Sequence, residues 1–391
     1  MNANVFLLAL SQALMMTLVG LVLSSSALVA VGLSAPAGLA NLPLAAQYLA
    51  TLLVLHPAAR LMGTHGRRPV FVGAALVGVA GLLLAALAIA WGSFPLFVLA
   101  GLGIGVLGGV GQFYRFAAIE AVPPVRKGLA VSLTLTGGVL AAFLGPWLAR
   151  STRHLFETPF LASFLILAAL AVLAAVAAGR LRLPPPPRQQ AQASPRPARQ
   201  LLADPGVGLA VAAAVVAYGV MNLLMTATPL AMLCAGHDFN ATATVIQWHL
   251  VAMFAPSFLT GGLITRIGAL PVMALGVLAS LAAIGIALLG DRYGHFQVAL
   301  VLVGLGWNLL YVGATTRLAE RWRDEEKGRL QALNDSLVFA GVTLATFAAA
   351  PLVDRLGWAL VNGLTALPLL VLLACLGRAL LRGRVRLASA G

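Results

Sequence analysis

The sequence predicts an all-α integral membrane protein that crosses the bilayer about twelve times. Of its 391 residues, 61% are hydrophobic and only 9% are charged, whereas about a quarter of the residues in a typical soluble domain are charged. The apolar runs are about 20 residues long, as membrane-spanning helices are, and they lack the alternation of barrel strands. Because lipid cannot hydrogen-bond to the backbone, such runs are expected to be helical.

Twelve apolar runs follow one another along the chain, separated by short polar or charged segments. Six of them precede residue 180 and six follow residue 206. In the first half the expected spans are 4–30, 38–60, 70–91, 94–115, 128–148 and 159–179. In the second half they are 207–233, 241–264, 269–290, 296–318, 330–350 and 358–380.

The two sets of six runs are separated by a segment of different composition. Four consecutive prolines, Pro184–Pro187, are followed by arginine, glutamine, serine and further proline residues, a composition that favours an extended or disordered linker. We therefore expect a six-helix bundle over residues 1–179 and a cytoplasmic linker over 180–206. A second six-helix bundle with a basic cytoplasmic tail is expected over 207–391.

The basic residues predict the orientation of the chain. The net charge is +14, from 25 basic and 11 acidic residues. If both termini are cytoplasmic, only Arg150, Arg153, Arg292 and Arg355 fall in outer loops, and the other 21 of the 25 basic residues fall inside. This bias follows the positive-inside rule and predicts a multi-pass membrane protein with both termini cytoplasmic. It accounts for the charge without nucleic acid, for which the chain has no soluble basic domain.

The loops after the second and eighth runs are similar to each other. Residues 59–69 read ARLMGTHGRRP and residues 261–268 read GGLITRIG, and both fit the pattern G-x-L-x-x-x-x-G imperfectly. Two six-helix halves that share such a loop resemble the major facilitator superfamily. Gly63 and Thr265 stand where the family motif has Asp, so the usual loop-locking ion pair lacks its acid. The resemblance implies a gating role for Gly66, Arg67, Arg68, Gly261, Arg266 and Gly268.

Glycine is concentrated in the fourth run, where residues 101–111 contain a G-x-G-x-x-G match. A dinucleotide site needs this motif between a strand and a helix. Here the motif lies inside an apolar run, where small residues let helices approach closely. We therefore interpret the glycines as a helix-packing surface.

Polar residues deep in the runs are candidates for substrate contact, because in the major facilitator fold helices one, four, seven and ten line a central cavity. Interhelical hydrogen bonds would account for the same residues equally well. The acidic residues lie in loops or near helix ends, which argues against an ordinary proton/drug antiporter, although Asp335 could reach a cavity. Arg115 and Glu120 are expected to be structural or gating. The cavity candidates are Gln12, Met15, Met16, Gln112, Tyr114, Trp307, Asn308 and Tyr311.

Methionine and histidine recur at helical spacing on the seventh and eighth runs. Met221 and Met225 form an M-x-x-x-M, and His249 and Met253 form an H-x-x-x-M. Residues i and i+4 lie on one face of a helix, so antiparallel neighbours would present a ladder of two rungs. Thioethers and imidazole are soft ligands suited to Cu(I). Methionine is also a common gap-filler in apolar helices, which is the alternative explanation.

These two motifs resemble those of the CcoA-type copper importers, a branch of the major facilitator superfamily. The resemblance implies that Met221, Met225, His249 and Met253 bind copper. It also implies that the protein imports copper ions or a copper chelate across a bacterial inner membrane for maturation of a haem–copper cytochrome oxidase. Weaker candidates near the outer mouth are Met232, His237 and Asp238.

The alternative expectation is a major facilitator transporter of an organic solute, either by riboflavin-like vitamin uptake or by drug efflux. Its contacts would be Gln112, Trp307, Asn308 and Tyr311. In neither case is an enzyme expected, because the sequence shows no catalytic constellation. We expect no cofactor, with copper present only as a transported substrate, and a protein that functions as a monomer in the lipid bilayer.

Overall fold

The computed structural model describes residues 3–36, 38–123, 127–183, 197–321 and 327–388, which form helices and connecting turns with no strand. The predicted linker prolines, Pro184–Pro187, lie outside the described residues, as does the end of the basic tail. The helices of the first half are α1 (Ala3–Gly32), α2 (Leu42–His65), α3 (Arg67–Ala90), α4 (Phe94–Gly111), α5 (Tyr114–Glu120), α6 (Lys127–Thr152) and α7 (Leu161–Gly179).

The second half begins after a short helix, α8 (Ala198–Ala203). Asp204 caps the next helix, because its Oδ1 accepts from the amide nitrogens of Gly206 at 2.7 Å and Val207 at 3.2 Å, and a proline follows in the first turn, where it loses no helical hydrogen bond. The remaining helices are α9 (Pro205–Cys234), α10 (Phe239–Phe254), α11 (Ser257–Ile267), α12 (Ala269–Leu288), α13 (Tyr293–Ala319) and α14 (Lys327–Ala388).

The predicted all-α membrane fold is confirmed. Within the described residues, ten segments are long and apolar enough to cross a membrane. One of them, Leu330–Arg382, is divided by Gly357, whose φ of 73° is left-handed, and it therefore comprises two crossings. With α6, whose 26 residues are also long enough to span, the described part of the chain contains the twelve expected spans.

Two predicted spans are broken helices. The fourth span stops at Gly111 and resumes as α5, and the eighth span, predicted as one helix over 241–264, stops at Phe254 and resumes as α11. Pro256 lies in the second break. Because proline has no amide hydrogen to donate, it ends the hydrogen-bond ladder of α10 there.

The helices of the two halves repeat one packing scheme. In the first half α1 packs on α6, α2 and α3 pack on α4, and α3 packs on α7. In the second half α9 packs on α14, α10 and α12 pack on α13, and α12 packs on α14. The halves meet where α2 contacts α14 and α6 contacts α10. Any space between the halves is therefore bordered by helices of both.

The glycines of α4 serve helix packing, as predicted. A Cβ at Gly105 would collide with the carbonyl oxygen of Gln47 on α2, and one at Gly103 would approach the Cα of Gly81 on α3 to 2.8 Å. Thr51 donates a hydrogen bond of 2.9 Å to the Gly105 carbonyl. Glycine is required at these positions because α4 lies against backbone on both sides.

Candidate substrate cavity

A cavity of about 330 Å³ lies between the two halves. The first half contributes residues of α1 and of the α4–α5 break, and the second half contributes residues of α9 to α11, α13 and α14. Since both halves form the walls, relative movement of the halves would change access to this space. The lining residues are Gln12, Met16, Gln112, Arg115, Tyr218, Phe254, Ser257, Phe258, Trp307, Tyr311, Val312, Asp335 and Phe339.

One wall of the cavity is aromatic. Trp307 and Tyr311 are one turn apart on α13, and their rings are stacked with centroids 5.2 Å apart and planes 12° apart. Tyr218 of α9 meets both rings edge-on, at 5.0 Å and 4.9 Å, and Phe254 meets Trp307 at 6.1 Å. Edge-to-face and stacked contacts of this kind hold the four rings in position. The four rings therefore form one packed aromatic wall.

The cavity lining also contains two charged residues, one from each half. Arg115 of α5 interacts electrostatically with Asp335 and with the hydroxyl of Tyr311, and Asn334 donates a hydrogen bond of 3.1 Å to Asp335. Two buried donors in the lining, Arg115 Nε and Trp307 Nε1, have no hydrogen-bond partner within the described part of the chain. Buried donors are normally paired, so a bound molecule is a natural source of acceptors for them.

Two further spaces adjoin the cavity. One, of about 90 Å³, shares Met16, Gln112 and Tyr218 with it and lies deeper between the halves. The other, of about 320 Å³, shares Asp335 and reaches the end of the bundle where Arg67 and Glu120 lie. The cavity therefore continues toward the end that the charge distribution predicts to be cytoplasmic.

The opposite end is closed by contacts between the halves. Arg150 at the end of α6 donates hydrogen bonds to Thr244 Oγ1 at 2.9 Å and Gln247 Oε1 at 2.8 Å, both on α10. Arg153 lies over the rings of Phe160 and Phe239, which come from different halves, at 5.2 Å and 4.8 Å. In the predicted orientation this is an inward-facing arrangement.

The loop-motif residues occupy corresponding turns of the two halves. Gly66 joins α2 to α3 with a φ of 83°, and Gly268 joins α11 to α12 with a φ of 86°, so each turn needs a residue that tolerates the left-handed region. Arg67 forms a bidentate ion pair with Glu120, with contacts of 2.7 Å and 2.5 Å. Glu120 thus supplies the acid that the loop itself lacks. Arg68, Gly261 and Arg266 are exposed.

The four predicted copper ligands do not share one space. Met221, Met225 and Met253 line the 90 Å³ chamber, whereas His249 is not in its lining. The His249 ring is fully buried and its Nδ1 donates to the carbonyl oxygen of Leu300 on α13 at 2.7 Å. No group of three or more His, Cys, Asp or Glu residues that could hold a metal ion occurs in the described ranges.

The predicted cavity residues divide into two groups. Gln12, Met16, Gln112, Trp307 and Tyr311 line the cavity. Three others, Met15, Tyr114 and Asn308, are outside its lining.

Those three residues have partners elsewhere. A Cβ at Gly111 would collide with the Met15 sulfur, and the Tyr114 ring packs edge-on against Phe71 at 4.8 Å. Asn308 donates to the Met253 carbonyl at 2.7 Å and Ser257 Oγ at 2.6 Å. Asn308 thereby holds α13 against the α10–α11 break, which is the interhelical role that the sequence left open.

The outer-mouth candidates also have structural partners. Met232 is fully buried. His237 Nε2 hydrogen-bonds to the Asp291 carbonyl at 2.8 Å, and Asp238 caps α10 by accepting from the Ala241 amide at 2.8 Å. These contacts account for all three side chains without a transported ion.

Several lining residues were not among the predicted sites, notably Tyr218, Phe254, Phe258 and Phe339. Phenylalanine and tyrosine in an apolar run are ordinary core residues, so the sequence offered no signal for them beyond the position of Tyr218 on α9. Arg115 was expected to have a structural or gating role, and after the break at Gly111 it lines the cavity.

Comparison with known proteins identifies relatives over the full length. The model of the Major Facilitator Superfamily matches residues 5–233 and 210–389. The riboflavin transporter RfnT of Brucella anthropi is 40% identical over 366 residues, which cover 92% of each chain. The uncharacterized MFS-type transporter YdeG of Bacillus subtilis is 28% identical over 57% of this chain and 56% of that protein.

A solved structure shares the fold. The crystal structure of a D-xylose–proton symporter matches with a TM-score of 0.71 over 94% of this chain and 96% of that chain, at 15% identity. At this identity the match shows the architecture alone.

The prediction of copper import is wrong. It is overturned by the 40% identity, over nearly the whole chain, to a riboflavin transporter. The physical reason is that i, i+4 spacing places two residues on the same face of one helix. It does not show that the faces of two helices point into one binding site. His249 is outside the lining that contains the three methionines, and the methionines are apolar wall residues. The prediction that the protein is a transporter and not an enzyme is confirmed.

Proposed function

Because the chain belongs to the major facilitator superfamily, we propose that it transports riboflavin by alternating access of its central cavity. The observation that carries this proposal is the relative named a riboflavin transporter, at 40% identity and 92% coverage of both chains. Riboflavin-like vitamin uptake was among the alternatives to copper import that the sequence left open.

The chemistry of the cavity supports this substrate. Riboflavin has a flat isoalloxazine ring and a polyhydroxylated ribityl chain. The stacked rings of Trp307 and Tyr311 offer a surface for the flat ring, and Gln12 and Gln112 in the lining offer hydrogen bonds to hydroxyl groups. The cavity volume of about 330 Å³ is in the range of small-molecule sites.

We place the movement inward, from the periplasm to the cytoplasm. The charge bias supports cytoplasmic termini in the inner membrane of a bacterium, and the contacts of Arg150 with α10 close the outer end. The substrate would leave through the space near Arg67 and Glu120. Since one chain contains both halves of the cavity, we propose that a monomer suffices.

The test is direct measurement of riboflavin uptake. The purified chain in proteoliposomes should accumulate radiolabelled riboflavin saturably, and excess unlabelled riboflavin should compete. Expression in a bacterium unable to make riboflavin should restore growth on a low concentration of the vitamin. Protein that is correctly inserted but neither moves nor binds riboflavin would contradict the proposal.

A further inference from the structure

We infer that Arg115 and Asp335 recognise the imide edge of the flavin ring, with Asp335 accepting a hydrogen bond from N3–H and Arg115 donating to an adjacent ring carbonyl. This inference rests on the proposed transport of riboflavin. It assigns the specificity of the cavity to one pair of residues that come from opposite halves of the protein.

The pair combines a donor and an acceptor in one place. The Asp335 carboxylate and the Arg115 guanidinium lie close enough to interact, and both line the cavity. Asn334 adds a hydrogen bond of 3.1 Å to one carboxylate oxygen. In a membrane protein, ionisable residues facing a cavity commonly mark a substrate pathway.

The chemistry of the pair fits a neutral ligand with adjacent C=O and N–H groups. Such a ligand can hydrogen-bond to both residues without leaving either charge unpaired, whereas a cation or an anion would compete for one of them. The pyrimidinedione end of isoalloxazine presents two carbonyls on either side of N3–H. Arg115 Nε, which is buried and has no partner in the described part of the chain, is a donor still available to one of those carbonyls.

The aromatic wall would bring this edge of the ring to the pair. Tyr311 interacts with Arg115 and is stacked with Trp307, so the charged pair lies at the margin of the stacked surface. A flat ring lying along that surface would direct one edge at Arg115 and Asp335. The methyl-substituted end of the ring and the ribityl chain would then face the remaining walls.

The test compares riboflavin with N3-methylriboflavin, which keeps the ring, both carbonyls and the ribityl chain but lacks the N3 proton. Wild-type protein in proteoliposomes should transport the methylated analogue with a kcat/KM at least about tenfold lower, because the acceptor Asp335 is left unpaired. In Asp335→Leu, which removes the acceptor at similar size, the preference should fall to about threefold or less. Asp354→Leu, at an exposed position of α14, is the matched control and should keep the wild-type preference.

Equilibrium binding gives the same comparison without transport. Quenching of riboflavin fluorescence by the purified proteins reports affinity for both ligands, so a variant that binds but does not move substrate is still informative. Arg115→Lys, which keeps the charge but loses the planar fork, should weaken binding of both ligands and leave the preference for N3–H. If Asp335→Leu does not accumulate in the membrane, Asp335→Ala, which also has no side-chain acceptor, is used, and loss of the preference is again expected.

The outcomes separate the two proposals. Loss of the N3–H preference in the Asp335 variant supports the inference. Equal handling of both ligands by the wild type, or a preference that persists in the Asp335 variants, overturns the inference and leaves riboflavin transport standing. Absence of any riboflavin binding or transport by the wild type overturns the proposed function itself.

Discussion

The methionine face of α9 and α10 and the aromatic wall of α13 border the same central space but differ in what they offer a ligand. Met221, Met225 and Met253 line a narrow chamber of about 90 Å³. Trp307 and Tyr311 line the larger cavity, in which Arg115 and Asp335 also lie. The described lining of the first region contains no charged residue, whereas the second combines aromatic rings with two charged groups.

The difference shows that helical spacing identifies a face but not its use. The i and i+4 positions of the methionine face are real neighbours on their helices, yet the histidine needed for a metal site is outside the lining of the chamber that the methionines share. In the second region no single helix carries a pattern. The site arises because α5, α9, α13 and α14 converge on it.

The largest effect expected from either region is that of removing the aromatic wall. Trp307→Ala should lower riboflavin transport, as kcat/KM, by about ten- to a hundredfold, because stacking and the burial of apolar surface together contribute roughly 1.5–3 kcal/mol. Radiolabelled uptake normalised to protein in the membrane measures it. The control is Trp147→Ala, whose side chain is exposed on α6 and should leave uptake unchanged. Equal losses of riboflavin uptake in Trp307→Ala and Trp147→Ala would contradict a specific role for the aromatic wall.

A smaller and different effect is expected on the methionine side, where His249→Ala should lower stability and leave recognition intact. Removing the imidazole leaves the Leu300 carbonyl without its 2.7 Å hydrogen bond to Nδ1. Loss of such a buried hydrogen bond lowers the free energy of unfolding by about 1–3 kcal/mol. We expect a lower midpoint of thermal unfolding in detergent, with an unchanged riboflavin KM for the folded fraction. His154→Ala, at an exposed position, is the control. A riboflavin KM raised tenfold with normal stability would instead make His249 a substrate contact.

Much of the fold followed from the sequence because lipid imposes a simple rule on the backbone. Each of the twelve apolar runs corresponds to helical segments, and the proline-rich segment separates the two sets. The breaks at Gly111 and Phe254 were not predicted, since apolar residues continue beyond each of them. Pro256 was a usable signal for the second break.

The site was predicted less completely because it depends on convergence between segments. Gln112, Trp307 and Tyr311 stood out as polar or amphipathic residues within apolar runs, and they line the cavity. Asn308 stood out in the same way, but its side-chain amide donates hydrogen bonds to the Met253 carbonyl and to Ser257 Oγ. The sequence shows that a side chain is polar. Whether its hydrogen-bond partner lies in the cavity or on a neighbouring helix depends on how the helices pack.

The smallest effect is expected from replacing the methionines themselves. In the double variant Met221→Leu and Met225→Leu, each substitution nearly conserves volume, so stability should fall by less than about 1.5 kcal/mol per site and riboflavin uptake should stay within about threefold of wild type. Cu(I) at micromolar concentration should shift the thermal midpoint of neither protein, since a ligand stabilises a fold only by binding to it. A copper-dependent rise in the wild-type midpoint that is absent from the leucine variant would show that the methionine face binds metal after all.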